Sequence, residues 1–193
     1  DVWSSRDGGV TWVELSTGTG TTDRWGLRRS QASVVFKDKI YIMGGYDGTA
    51  TNDVWSSGDG GVSWSLVTAA AGWSDRNSLQ VVVYADAMVM LGGNGNNYRN
   101  DVWASRDGGA TWLEVLSSAQ WSARFEYSSV VTNNTITIMG GYGTAGLVHD
   151  VWSMGSVATS QLATLTKGVV MSAWIGGNIA VAVVTMGLVG LNL

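Results

Sequence analysis

Lys39 to Gly45 reads KIYIMGG, and Asn52 to Ser57 reads NDVWSS. The glycine pair of the first string, Gly44-Gly45, returns at Gly92-Gly93 and Gly140-Gly141, 48 residues apart each time. DVW begins at Asp1, Asp53, Asp101 and Asp150, and Trp25, Trp73 and Trp121 share the 48-residue step with Arg28, Arg76 and Arg124. The one larger offset, 52 residues between the first two DVW strings, traces to the longer segment STGTGTTDRWGL. Self-similarity at this period is the first thing any reading of the chain has to explain.

Each period reads as four short strands. ASVVFKD and KIYIMGG form two strands around a tight turn at Lys37-Asp38-Lys39, and NDVWSS and VSWSLV form two more joined through Gly58-Asp59-Gly60-Gly61. The second period supplies LQVVVYAD, AMVMLGG, NDVWAS and ATWLEV; the third supplies YSSVVTNN, TITIMGG and HDVWSM. β-branched and aromatic enrichment with period-2 alternation supports strands, and no helical periodicity competes. Four antiparallel strands per repeat make one blade of a propeller, so the expected class is all-β: a β-propeller of four-stranded blades.

The order Arg, hydrophobic strand, IYIMGGY, NDVW and a second Trp resembles the kelch repeat, over roughly residues 1–155. SRDGGVTW, Ser5 to Trp12, is similar to the Asp-box (BNR) hairpin found in sialidases and other propellers, and it recurs as SGDGGVSW and SRDGGATW. The resemblance implies kelch-type blades: a half-blade at 1–15, then blades at 28–67, 76–116 and 124–166.

The repeated Asp has three readings: a metal ligand, a catalytic acid or a turn. Asp7, Asp59 and Asp107 each precede two glycines between strands. There a carboxylate accepts hydrogen bonds from turn amides while glycine supplies positive φ. A calcium loop needs about six or seven oxygen ligands, and each turn offers one acid. The turn reading is favoured, with Trp12, Trp64 and Trp112 placed to pack between blades.

In such a blade the first-to-second and third-to-fourth turns emerge on one face, and the remaining connections emerge on the other. The second face carries the variable loops DGTATN, NGNNYRN and GTAGLVH, and loops on a rigid scaffold are where binding is expected. Its candidate binding residues are Trp25, Arg28, Tyr46, Trp73, Arg76, Asn94, Tyr98, Arg99, Trp121, Arg124 and Tyr142. The repeated arginines have two readings. They offer bidentate donors to a partner's carboxylates, or they pair internally with Asp53, Asp101 and Asp150. The internal pair is favoured because every repeat holds both members. Tyr98 and Arg99 are the conspicuous non-repeated loop residues, an aromatic and an arginine of interface type. His149 reads as a strand-start polar residue, and Asn133 opens an Asn-x-Thr sequon at a hairpin tip.

Composition narrows the function. Eleven Lys and Arg are scattered along the chain against 15 Asp and Glu, so a nucleic-acid partner is not expected. There is no Cys and one His, which excludes from this segment the Cys-Tyr crosslink and histidine copper ligands of kelch-type oxidases. The sialidase-like alternative needs an arginine triad, a Tyr–Glu pair and an acid. The three glutamates, Glu14, Glu114 and Glu126, show no break in the repeat that would mark a special acid. The expectation is a non-catalytic module with no cofactor and no metal, whose loops bind a protein or a glycan. The alternative is a sialidase-like enzyme whose site is completed by missing blades. The compartment stays open, with a secreted or cell-surface location favoured.

The chain starts inside a DVW string without Met or signal pattern, and so reads as a fragment or processed piece. Its end, residues 167–193, is uncharged after Lys167. It is long enough for a transmembrane helix, but its β-branched and glycine content favours a degenerate blade hairpin, with Gly187 echoing the repeated glycine. In that reading the hairpin and the opening half-blade close a small ring of about four blades. A larger ring cut at both ends is the other possibility.

Overall fold

The computed structural model describes residues 1–16, 25–154, 171–175 and 178–182. They fall into two units, Asp1–Gly155 and Ser156–Leu193. The first unit is all-β. It opens with β1 (Val2–Ser4) and β2 (Val13–Ser16), an antiparallel pair. The first full blade is β3 (Ala32–Phe36), β4 (Lys39–Met43), β5 (Val54–Ser57) and β6 (Ser65–Thr68), hydrogen-bonded in that order. The second blade repeats the order with β7 (Gln80–Tyr84), β8 (Ala87–Asn94), β9 (Tyr98–Ser105) and β10 (Leu113–Leu116).

The third blade divides its strands between two small sheets. β12 (Ser128–Thr132), β13 (Thr135–Met139) and β16 (Val151–Met154) continue the blade pattern. β11 (Arg124–Phe125), β14 (Tyr142–Gly143) and β15 (Gly146–Leu147) form a second sheet from its loops. The fourth strand expected toward residue 166 lies outside the described residues. The first strands β3, β7 and β12 lie side by side, so consecutive blades meet along their innermost edges.

The blade hairpins are tighter than expected. Phe36 pairs with Lys39, leaving Lys37 and Asp38 alone in the turn at φ 47° and 60°. Ala85-Asp86 and Asn133-Asn134 repeat this geometry. Two positive φ values define the turn whose twist matches paired strands. The loop NGNNYRN is also shorter than its composition predicts: pairing continues through Gly93–Arg99 and Asn94–Tyr98. Tyr98, Arg99 and Asn100 are therefore strand residues.

The core lies between blades. Phe36, Tyr41, Met43 and Val54 of the first blade pack with Trp73, Leu79, Val81, Met88 and Met90 of the second. A smaller cluster of Ile42, Trp55 and Trp64 joins the first blade to Val2 and Trp25. The Gly44 backbone, at φ +61°, belongs to this seam. A Cβ there would stand 2.8 Å from the Arg76 carbonyl oxygen, and the neighbouring Gly45 N–H donates to that oxygen at 2.9 Å. Only a residue without a side chain allows so close an approach.

The Asp-Gly-Gly turns are self-bonded. Asp59 accepts from the Ser57 hydroxyl at 2.7 Å, the Val62 N–H at 3.0 Å and the Ser63 hydroxyl at 2.5 Å. Trp64 Nε1 donates back to the Gly61 carbonyl at 3.1 Å. The turn of the second blade docks on the first, where the Thr68 hydroxyl and Lys37 ammonium donate to the carbonyls of Gly109 and Arg106. Trp64 is buried and Trp112 is partly buried, but Trp12 is 56 % exposed. Its half-blade has no preceding blade among the described residues to cover it.

In the second unit, β17 (Met171–Ile175) pairs antiparallel with β18 (Asn178–Ala182). Among the described residues no helix is long and apolar enough to cross a membrane. Gly187 lies outside the described residues.

Candidate functional site

The repeated arginines are held by their own blades. Arg28 Nη1 and Nη2 donate to the two Asp53 oxygens at 2.6 and 2.8 Å, and Nη1 also donates to the Gly44 carbonyl at 3.0 Å. Arg76 binds Asp101 at 2.6 and 2.9 Å and the Gly92 carbonyl at 3.0 Å. Arg124 binds Asp150 at 2.5 and 2.9 Å and the Gly140 carbonyl at 2.9 Å. Each Asp accepts a further bond from the Trp of its own DVW: Trp55, Trp103 and Trp152. One guanidinium thus ties a glycine pair to the start of the third strand, in every blade.

Electrostatics agree with that assignment. Burial opposes ionisation of Asp53 and Asp101, but hydrogen bonds from Arg28 and Trp55, and from Arg76 and Trp103, outweigh it and lower both carboxyls. Asp150, more open to water, is lowered chiefly by the Arg124 hydrogen bond and then by Trp152. In the turns, the Thr11 hydroxyl and amide and the Ser5 hydroxyl bring Asp7 down to about 2.

Of the two readings of the repeated arginines, the geometry shows the internal pair with the DVW aspartate in each blade. Arg28, Arg76 and Arg124 have side chains no more than 3 % exposed. Trp73 and Trp121 are buried, and Trp25 is half-buried with its ring edge-on to Trp64 at 5.9 Å. Trp73 meets Trp112 in the same way at 6.0 Å. The hydrophobic effect draws these large rings into the seams between blades.

The remaining candidates stay on the loop face. Tyr46 is exposed, bridges the backbone of Arg29 and Ala50, and lies 5.1 Å beneath the Arg29 guanidinium. Asn94 is half-buried and bridges Asn77. Tyr98, Phe125 and Tyr142 form one aromatic cluster, with ring centroids 4.8 Å apart for Tyr98–Phe125, 5.6 Å for Phe125–Tyr142 and 6.4 Å for Tyr98–Tyr142. Tyr142 is 40 % exposed.

Adjacent strand residues point to opposite sides, and the pair Tyr98–Arg99 divides accordingly. Tyr98 joins the aromatic cluster of the third blade. Arg99 lines a cleft of about 200 Å³ with Thr49, Ala50, Ser74, Asp75 and Asn96. Sequence reasoning missed Phe125 and Asp75. The signal for Phe125 was present, since Arg29, Asn77 and Phe125 occupy one repeat position yet differ in chemistry. Among the described residues no group of three or more His, Cys, Asp or Glu is placed to hold a metal ion.

Residues 27–56 match the family model of the kelch motif. That segment carries a kelch motif. The matched segment runs from the residue before Arg28 through β3, β4 and most of β5, so it contains the arginine, the glycine pair and the DVW string that the ion pair connects. No curated protein matches the chain. The repeated residues build the blade, and the loop-face residues vary between blades.

Proposed function

We propose that the protein is a non-catalytic binding module that engages a protein partner through its loop face. The observation that carries this reading is the cluster of Tyr98, Phe125 and Tyr142. Three rings from separate segments meet on the loop face, and one of them is open to solvent. Tyrosine offers large, rigid contact area with a polar tip, the composition of an interface anchor. The kelch motif supports the same class of function, a propeller that presents loops to a protein.

The test is to pan a displayed peptide library on the chain and measure the enriched peptides against Tyr142→Ala. Binding should weaken about tenfold or more, the cost of removing an aromatic anchor. Melting should change little, because the side chain is substantially exposed. Equal binding by wild type and variant, or capture of glycans with no peptide enriched, would overturn this reading.

A further inference from the structure

We propose, resting on the loop-face reading above, that the cleft beside Arg99 is a carboxylate pocket. It takes the side chain of an aspartate or glutamate from a peptide partner. Where the second blade has Arg99, the first has Thr51 at the corresponding place, and Thr51 accepts a 3.4 Å bond from the scaffold arginine Arg28. Arg99 is therefore a departure from the repeat, and it does not take part in the scaffold. Its guanidinium makes no ion pair or hydrogen bond among the described residues, and its Nε is buried without an acceptor. A buried donor left unpaired is a cost that a ligand oxygen would relieve. The planar fork also matches a carboxylate in two-point geometry.

The rest of the lining is mostly polar. Asp75 lines the cleft without forming an ion pair with Arg99. The Ser74 oxygen accepts from Arg76 Nη2 at 3.1 Å, which leaves its hydroxyl proton to donate into the cleft. One carboxylate can accept from both donors, Arg99 and Ser74, and an acidic residue within a peptide supplies it.

The experiment follows arginine Nε–Hε signals of the intact chain by NMR during titration with N-acetyl-glutamate amide. The Arg99 signal, assigned by its loss in Arg99→Met, should shift saturably, and the glutamine counterpart should leave it in place. In a peptide enriched on the loop face, changing the acid to its amide should weaken wild-type binding roughly tenfold to a hundredfold, the range for a hydrogen bond to a charged group. The same change should have little effect on Arg99→Met. Equal shifts with the glutamine compound would overturn the proposal, as would a shift of equal strength with inorganic phosphate. Peptide binding lost in Tyr142→Ala but unchanged in a normally melting Arg99→Met would remove the carboxylate pocket and leave the loop-face reading standing.

Discussion

Arg76 grips Asp101 through two hydrogen bonds, 2.6 and 2.9 Å long, with its side chain 1 % exposed. Removing the cation strands a carboxylate that is itself buried. Arg76→Met should therefore cost about 3–5 kcal/mol in urea unfolding, a large part of the stability of an ordinary domain. Arg76→Lys should recover little of this, since a lysine cannot reproduce two parallel bonds to one carboxylate.

Gly9 and Gly109 occupy the same place in their turns, at φ +93° and +86°. A Cβ on Gly109 would lie 2.8 Å from Val54 Cγ1, whereas one on Gly9 would have only the Trp12 ring at 3.8 Å. Both alanine variants should carry a backbone penalty of roughly 1–2 kcal/mol. Gly109→Ala should lose about 1–3 kcal/mol more, the cost of overpacking a seam. Equal losses would show that the turn does not wedge against the neighbouring blade.

Acid should unfold the chain through its aspartates. Asp7, Asp53, Asp59, Asp101, Asp107 and Asp150 are all held below the ordinary carboxylate value in the fold. A lowered folded-state pKa contributes stability that is complete above the unfolded value of about 3.9 and is lost as pH falls through the folded one. The urea midpoint should stay level near neutrality and drop between about pH 4 and pH 2, where Asp7 titrates. Asp59→Asn should start lower and fall less steeply over that window.

The Tyr127 hydroxyl donates to the Leu91 carbonyl at 2.7 Å across the seam between the second and third blades, fully inside the fold. Burial raises its pKa well above the usual tyrosine value, so the hydroxyl remains a donor through alkaline pH. Tyr127→Phe leaves the carbonyl without this bond and should cost about 1–3 kcal/mol. A thermal shift indistinguishable from wild type would rule out that contribution.

Blade architecture was legible because its determinants are local and repeated. The glycine pairs, the DVW strings and the Asp-Gly-Gly turns each encode a turn or pairing rule within a few residues. Pairing of Arg76 with Asp101, 25 residues away, was also accessible, since both recur together in every blade. The placement of Arg99 in a cleft and the meeting of Tyr98 with Phe125 were not. They depend on which side of β9 a residue falls, and that follows from pairing that runs two positions further into the loop than its Gly and Asn content implies. Burial of Trp73 was missed for a related reason: the ring fills a space created by two blades, which no single repeat describes.

The hairpin tip at Gly95–Asn97 sets more than a turn. Because Tyr98 and Arg99 are consecutive, one strand register decides which seam is greasy and which is charged. Slipping β9 by a single position past β8 would exchange the two environments at a stroke, sending the ring toward Asp75 and the guanidinium among the aromatics. The two sides of this hairpin are thus mechanically yoked. A pull on the tip reaches both sides together, and a designer wanting to alter one alone must change the residue and leave the loop length untouched.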